Sequence, residues 1–207
     1  MSINRRNLIV GGAAFAASLT LPRDHKTMWG GSFLINTDNS AFAQDFSEAE
    51  LATAGANSDV SPALVSSHCP SAIEWDFVTK INSYRASFGR GPLQMSRSLA
   101  AAARHHAYYM SRTDDVDHTL GSKTWVDNIY DYGYPYGYHM GENVCAGRQS
   151  SGGALNLWIS SEPHRLNMID PDWIRIGVGR VYYAAGTYDF YWCTTFGNVS
   201  HRTISSC

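Results

Sequence analysis

Residues 174–197, IRIGVGRVYYAAGTYDFYWCTTFG, have the pattern of a β-hairpin and largely decide the fold class. Ile174, Ile176 and Val178 alternate with small or charged residues, which is the period-two pattern of a half-buried strand. The run YDFYWCTTFG follows after the short, glycine-containing loop AAGT. The two runs are therefore predicted to pair as antiparallel strands.

Helical patterns come before this hairpin in the chain. Ser71 and Glu74 have the spacing of a capping box and predict the start of a first helix. Its apolar face is predicted to comprise Phe77, Ile81, Tyr84 and Phe88. A second, alanine-rich helix follows Ser96, and its shared face is predicted to comprise Leu99, Ala102, Ala103, His106 and Met110. Shorter helices are predicted at 125–132, at 152–161 and from Pro163. Helices first and paired strands last indicate an α+β class with a small antiparallel sheet.

The N-terminal segment has the pattern of an export signal. Arg5 and Arg6 precede an apolar run that ends near Leu21, which is too short for a span of about 20 apolar residues. The paired arginines indicate the twin-arginine route, and cleavage is predicted after Ala43. An uncleaved N-terminal anchor is the alternative, and both place the remainder outside the cytoplasm. The predicted organisation is an export signal at 1–43, a linker at 44–70, a domain at 71–200 and a tail at 201–207.

Charge and composition exclude one class of partner. Beyond residue 43 acidic residues outnumber basic ones, and no basic stripe is present. The sequence therefore predicts no nucleic-acid binding and no strongly anionic membrane surface as the main partner. It also predicts no transmembrane domain in the mature form.

All four cysteines lie in the part predicted to be exported. An even number in an oxidising compartment predicts two disulfides. Four cysteines allow three connectivities, and the sequence does not choose among them. The pairing favoured here is Cys145–Cys193 within the domain and Cys69–Cys207 between its ends.

The chemical candidates are two histidines and one glutamate near loops. The sequence contains no G-x-S-x-G elbow, no H-E-x-x-H, no phosphate-binding glycine loop and no dinucleotide fingerprint. His118 follows an acidic cluster, Glu142 lies between a glycine and an asparagine, and His164 follows a proline. Each also fits a plain structural role. His105 and His106 are interpreted as structural, and His139 as solvent-facing.

From about Glu74 to Asn198 the chain resembles the CAP superfamily (cysteine-rich secretory proteins, antigen 5, pathogenesis-related 1), especially its bacterial branch. The resemblance depends on five ordered motifs: INSYRASFGRGPLQMSRSLAAAARHHAYYMSR, the DH that ends at His118, GENV, LWISSEPHRLNMIDPDWIRIGVG and YWCTTFGN. It implies a three-layer α-β-α sandwich with a small antiparallel sheet. It also implies a cleft in which His118, Glu142 and His164 bind a divalent metal such as zinc. The family's second glutamate falls near Ser161 here, beside Glu162.

Three functions follow from the resemblance. The leading hypothesis is a secreted or periplasmic binding module for a metal, a small molecule, a lipid or an envelope ligand. The alternative is a metal-assisted hydrolase of peptide or envelope material, with Glu142 as ligand or general base. A purely structural envelope protein is the third. The tyrosine-rich run at 130–138 fits a contact surface and a packed loop equally well.

Overall fold

The computed structural model describes residues 69–136 and 138–205. The helices are α1 (Ala72–Ala86), α2 (Arg97–Thr113), α3 (Trp125–Asp131), α4 (Ser151–Ser160) and α5 (Glu162–Met168). The strands are β1 (Gln94–Met95), β2 (Thr119–Leu120), β3 (Lys123–Thr124), β4 (Met140–Ala146), β5 (Arg175–Tyr183) and β6 (Asp189–Gly197). The predicted export signal at 1–43 and all but the last two residues of the predicted linker lie outside the described residues.

The central sheet has the strand order β1-β5-β6-β4. β5 and β6 form the predicted antiparallel hairpin, and β4 pairs antiparallel with the other side of β6. The two-residue β1 adds in parallel to β5, so the sheet is antiparallel apart from this short edge. β2 and β3 form a separate small ribbon beside the start of α3. The predicted α+β class is confirmed.

Helices cover both faces of the sheet, as a three-layer sandwich requires. On one face α1 and α4 bring Phe77 and Trp158 against Trp192, with ring centroids 5.4 and 5.9 Å from Phe77. These three side chains are fully buried. On the other face lies α2, with α3 packed behind it.

The second helix lies unusually close to the sheet. A Cβ atom at Gly177 would lie 2.1 Å from the carbonyl carbon of Leu99, and one at Gly179 would lie 2.4 Å from that of Ala103. The face of α2 predicted from the sequence is fully buried here. Glycines on β5 and alanines on α2 therefore permit a contact that larger side chains would prevent.

The first helix begins as predicted but ends earlier. Glu74 accepts hydrogen bonds from the backbone nitrogen and the hydroxyl of Ser71, at 2.7 and 2.9 Å, which is the predicted capping box. α1 ends at Ala86, because the chain turns there towards Gly89, which has a φ of +67°. Phe88 therefore lies beyond the helix and is 47% exposed, so its predicted place on the apolar face is wrong.

The predicted Cys145–Cys193 disulfide is wrong, because both residues are free, buried thiols. Cys193 lies directly opposite Val144, so these two side chains share the face towards α2. Cys145 is the next residue of β4 and points to the opposite face, where it packs with Trp158 and Trp192. The sheet itself separates the two sulfur atoms. The predicted Cys69–Cys207 pair includes a residue outside the described ranges and stays a prediction.

Candidate functional site

Glu142 lies at the centre of a buried polar group. It is the third residue of β4, opposite Thr195 of β6, and its side chain points towards α2 with 1% exposure. Its Oε1 accepts a hydrogen bond from Nδ1 of His118 at 2.8 Å. Its Oε2 accepts another from Nδ1 of His106 at 2.7 Å. Both carboxylate oxygens are thus held by imidazoles.

His118 connects this group to the surface. It lies immediately before β2, and its side chain is 28% exposed, against 1% for Glu142. Burial by itself would lower the pKa of His118, but the hydrogen bond with Glu142 and the charge of that carboxylate raise it overall. Burial would likewise raise the pKa of Glu142, but the charge of His106 and the hydrogen bonds from both histidines lower it overall. The pair favours an imidazolium next to a carboxylate.

His106 and Cys193 belong to the group although sequence reasoning did not select them. His106 lies on α2 and is completely buried, and Cys193 lies on β6, where its thiol donates to Oε2 of Glu142 at 3.4 Å. One ligand atom from each of His106, Glu142 and Cys193 lies within 4.8 Å of the others, which is close enough for a metal site. The sequence did contain one indication of this group: His106 lies on the predicted apolar face of α2. A buried imidazole needs a polar partner, so its position there predicts a polar group beneath the helix.

Burial determines the state of the Cys193 thiol. Burial first, and then the charge and hydrogen bond of Glu142, raise the pKa of Cys193 well above its usual value. The sulfur is therefore protonated at neutral pH in this structure. A cation at this position would have to displace that proton.

His164 lies in the first turn of α5 and hydrogen-bonds Ser161 rather than Glu142. Its Nδ1 is 2.8 Å from the hydroxyl of Ser161. Burial, together with the charge of His118, lowers the pKa of His164 to about 4. The ring is therefore neutral at pH 7 and electrostatically coupled to His118. Glu162, the neighbour of the missing second glutamate, is exposed.

Amide side chains fix β4 to α5 and so set the positions of Glu142 and His164. Asn143 donates to the backbone oxygen of His164 at 3.1 Å. Asn167 donates to the backbone oxygen of Glu142 at 3.1 Å and to the side chain of Asn143 at 2.9 Å. A Cβ at Gly141 would lie 2.5 Å from the Asn167 side chain. The Gly-Glu-Asn sequence thus combines a close approach, a buried acid and a connecting amide.

The other two histidines near these elements have partners outside the group. His105 hydrogen-bonds Asn128 at 2.6 Å, in agreement with the structural role predicted for it. His139, predicted to face solvent, is partly buried, with its ring centroid 4.3 Å from that of Trp173. Tyr130 stacks on Tyr136 at 4.0 Å within the tyrosine-rich run.

Comparison with known families gives one match. The cysteine-rich secretory protein family matches residues 78–196. An uncharacterized protein of Bacillus subtilis (strain 168), YkwD, is 33% identical over 114 residues, which is 54% of this chain and 43% of that protein. The chain thus spans less than half the length of that relative.

Two solved structures show the same fold at low sequence identity. An outer surface protein from Borrelia burgdorferi has a TM-score of 0.55 and 20% identity, covering 64% of this chain and 98% of that one. An extracellular protein containing an SCP domain from Bacillus anthracis str. Ames has a TM-score of 0.53 and 23% identity, covering 61% of this chain and 40% of that one.

Proposed function

The chain belongs to the cysteine-rich secretory protein (CAP) family, and we propose that it is an extracytoplasmic binding protein for a divalent cation such as zinc. His118 and His164 are the proposed ligands, and Glu142 orients His118 from within the protein. The observation that carries the proposal is the 2.8 Å hydrogen bond from Nδ1 of His118 to the buried carboxylate.

That contact fits the way proteins prepare histidine ligands. A metal-binding imidazole usually donates its second ring N–H to a carboxylate, which fixes the ring and its tautomer. With Nδ1 of His118 so engaged, Nε2 is the nitrogen that remains for a ligand. Glu142 supports the cation from the second coordination layer, because both of its oxygens already accept hydrogen bonds.

The neutral state of His164 also fits. Metals bind the neutral imidazole, and a pKa of about 4 leaves His164 unprotonated at pH 7. His118 must instead lose its Nε2 proton, because the hydrogen bond and the charge of Glu142 favour the imidazolium. Cation binding should therefore tighten as the pH rises through the raised pKa of His118. Two imidazole ligands leave the remaining coordination positions for water or a small ligand.

The extracytoplasmic location is supported by sequence and by likeness. Residues 1–43 have the pattern of an export signal, and the related Bacillus anthracis protein is described as extracellular. Within 69–136 and 138–205, no helix combines the length and apolar character needed to cross a membrane. The tyrosine-rich run, where Tyr136 is exposed, is the proposed contact surface for a small-molecule, lipid or envelope ligand.

The alternative function is a metal-assisted hydrolase of peptide or envelope substrates. The observation that favours it is the pair His118 and His164, whose pKa values move in opposite directions, as those of acid–base partners do. Glu142 is poorly suited to the role of general base, because its side chain is buried and both oxygens are engaged. In this alternative His164 removes the proton from the attacking water.

Calorimetric titration with zinc tests the proposal. Wild type is expected to bind zinc, while His118→Ala and His164→Ala should each lose the same binding event. His139→Ala serves as the matched control, because that imidazole packs on Trp173 and is not a ligand of the proposed site. Unchanged binding in both ligand variants would overturn the site. Turnover of a peptide or envelope substrate by the zinc-loaded protein would favour the hydrolase over the binding protein.

A further inference from the structure

The structure contains a second cluster of metal-ligand side chains behind the cleft, and we propose that His106, Glu142 and Cys193 form a buried site for a thiophilic divalent cation such as zinc. This site goes beyond the proposed function, because it uses neither His118 nor His164 as a ligand. The cleft site and the buried site share only Glu142. Its Oε1 accepts a hydrogen bond from His118, and its Oε2 accepts hydrogen bonds from His106 and from the thiol of Cys193.

The distances suit a tetrahedral ion after a small adjustment. Bonds of about 2.0 Å to nitrogen and oxygen and about 2.3 Å to sulfur place tetrahedral ligands roughly 3.3–3.6 Å apart. Sγ of Cys193 is already 3.4 Å from Oε2 of Glu142. Nδ1 of His106 is 2.7 Å from the same oxygen and has to retreat by roughly 0.6 Å. The imidazole and thiol protons both point at one oxygen, and a single cation would replace them there.

Charge balance favours a cation in this dry position. One carboxylate and one thiolate balance the charge of a divalent ion, so once His118, which shares the carboxylate, is neutral, burial of the ion avoids the cost of an unpaired charge. Cation binding forms a metal–sulfur bond, breaks the S–H bond and releases that proton to solvent. Starting from a neutral His106, the proton on Nδ1 moves to Nε2 by tautomerisation, so one proton leaves for each ion bound.

The three ligands lie on α2, β4 and β6, regular elements that hold side chains more rigidly than loops do. All three side chains are buried, and one ligand atom from each lies within 4.8 Å of the others.

Cobalt is the probe that identifies the sulfur ligand. We would add Co²⁺ to the full chain, both folded and during refolding from denaturant, so that burial does not prevent entry. A cobalt–thiolate charge-transfer band in the near ultraviolet should appear at one equivalent. The band should be absent in Cys193→Ser. In His106→Ala the apparent affinity for cobalt, measured from the same band, should fall at least tenfold.

Two control variants separate this site from its surroundings. Cys145→Ser removes the other buried thiol, which lies on the opposite face of the sheet, and should keep the band. His164→Ala removes a ligand of the proposed cleft site and should also keep it. Loss of the band in His164→Ala would show that the sulfur site is not separate and would overturn the inference without affecting the cleft proposal.

A measurement without a cysteine substitution covers the case in which Cys193→Ser does not fold. X-ray absorption of His164→Ala loaded with one equivalent of zinc, in which the cleft site has lost a ligand, should show one sulfur neighbour at about 2.3 Å. A coordination shell of nitrogen and oxygen alone would overturn the inference. A cobalt band that is absent under both loading conditions, survives in folded Cys193→Ser or disappears in Cys145→Ser would do the same.

Discussion

Replacing Gly177 by alanine should destabilise the protein strongly, because the new methyl group would enter the backbone of α2. Its Cβ would lie 2.1 and 2.2 Å from the carbonyl carbon and oxygen of Leu99, and 2.4 Å from the nitrogen of Ala100. Ordinary contact begins near 3.4 Å. The helix and the strand therefore have to separate by roughly 1 Å over their shared contact.

The loss of stability depends on which atoms have to move to accept the new methyl group. Overpacking in a core costs about 1–3 kcal/mol and sometimes more. Here the obstructing atoms are backbone, which no side-chain rotation can relieve, so we expect a loss of about 3–4 kcal/mol in the free energy of unfolding. The lower entropy of the unfolded alanine variant offsets at most about 1 kcal/mol of that loss.

Guanidinium unfolding followed by circular dichroism measures the difference. Gly91→Ala is the matched control, because its Cβ would meet nothing within 4 Å and should change stability by no more than about 0.5 kcal/mol. A Gly177→Ala variant within about 1 kcal/mol of wild type would refute the reasoning. Such a result would mean that α2 can leave the sheet at little cost.

Three further outcomes are expected. The pKa of His164 is about 4 when folded and about 6.5 when unfolded, so stability should fall as the pH drops through that window, by up to about 3 kcal/mol before screening. Denaturation of His164→Asn at pH 7 and pH 4.5 should show a smaller fall, and an equal fall would contradict this origin. The raised pKa of His118 means that its contribution is complete below about pH 6.5 and is lost as the pH rises through the folded value. Glu142→Gln should lower that pKa in an NMR titration, and an unchanged value would assign the shift to another group. Arg85 donates to four backbone carbonyls from within the core, so Arg85→Lys should cost about 2–4 kcal/mol in thermal or denaturant unfolding, against nearly nothing for the exposed Arg90→Lys.

Local patterns predicted the elements well because their causes are local. The hairpin depends on alternation within β5 and β6, and the start of α1 depends on Ser71 and Glu74, which are three residues apart. Phe88 was misplaced because periodicity does not show where a helix yields to a turn. The chain leaves the helix three residues before Gly89, and the apolar spacing continues beyond that point.

The site depended on contacts that no local pattern contains. The resemblance selected Glu142, His118 and His164 as one group, and the structure shows the contact between the first two. The meeting of His106 with Glu142 depends on how α2 is placed over β4, and this placement depends in turn on the glycines of β5. Cys193 joins them through the strand register of β6, which the sequence does not reveal.

The separation of Cys145 and Cys193 by the sheet has a consequence for the order of events during maturation. Once β4 and β6 have paired, their sulfur atoms cannot meet, so a bond between them can form only in a chain oxidised before its sheet is complete. Such a cross-link would trap β4 out of register and keep Glu142 away from His106. Its abundance, measured by mass spectrometry of the purified protein, would therefore show how often oxidation precedes folding.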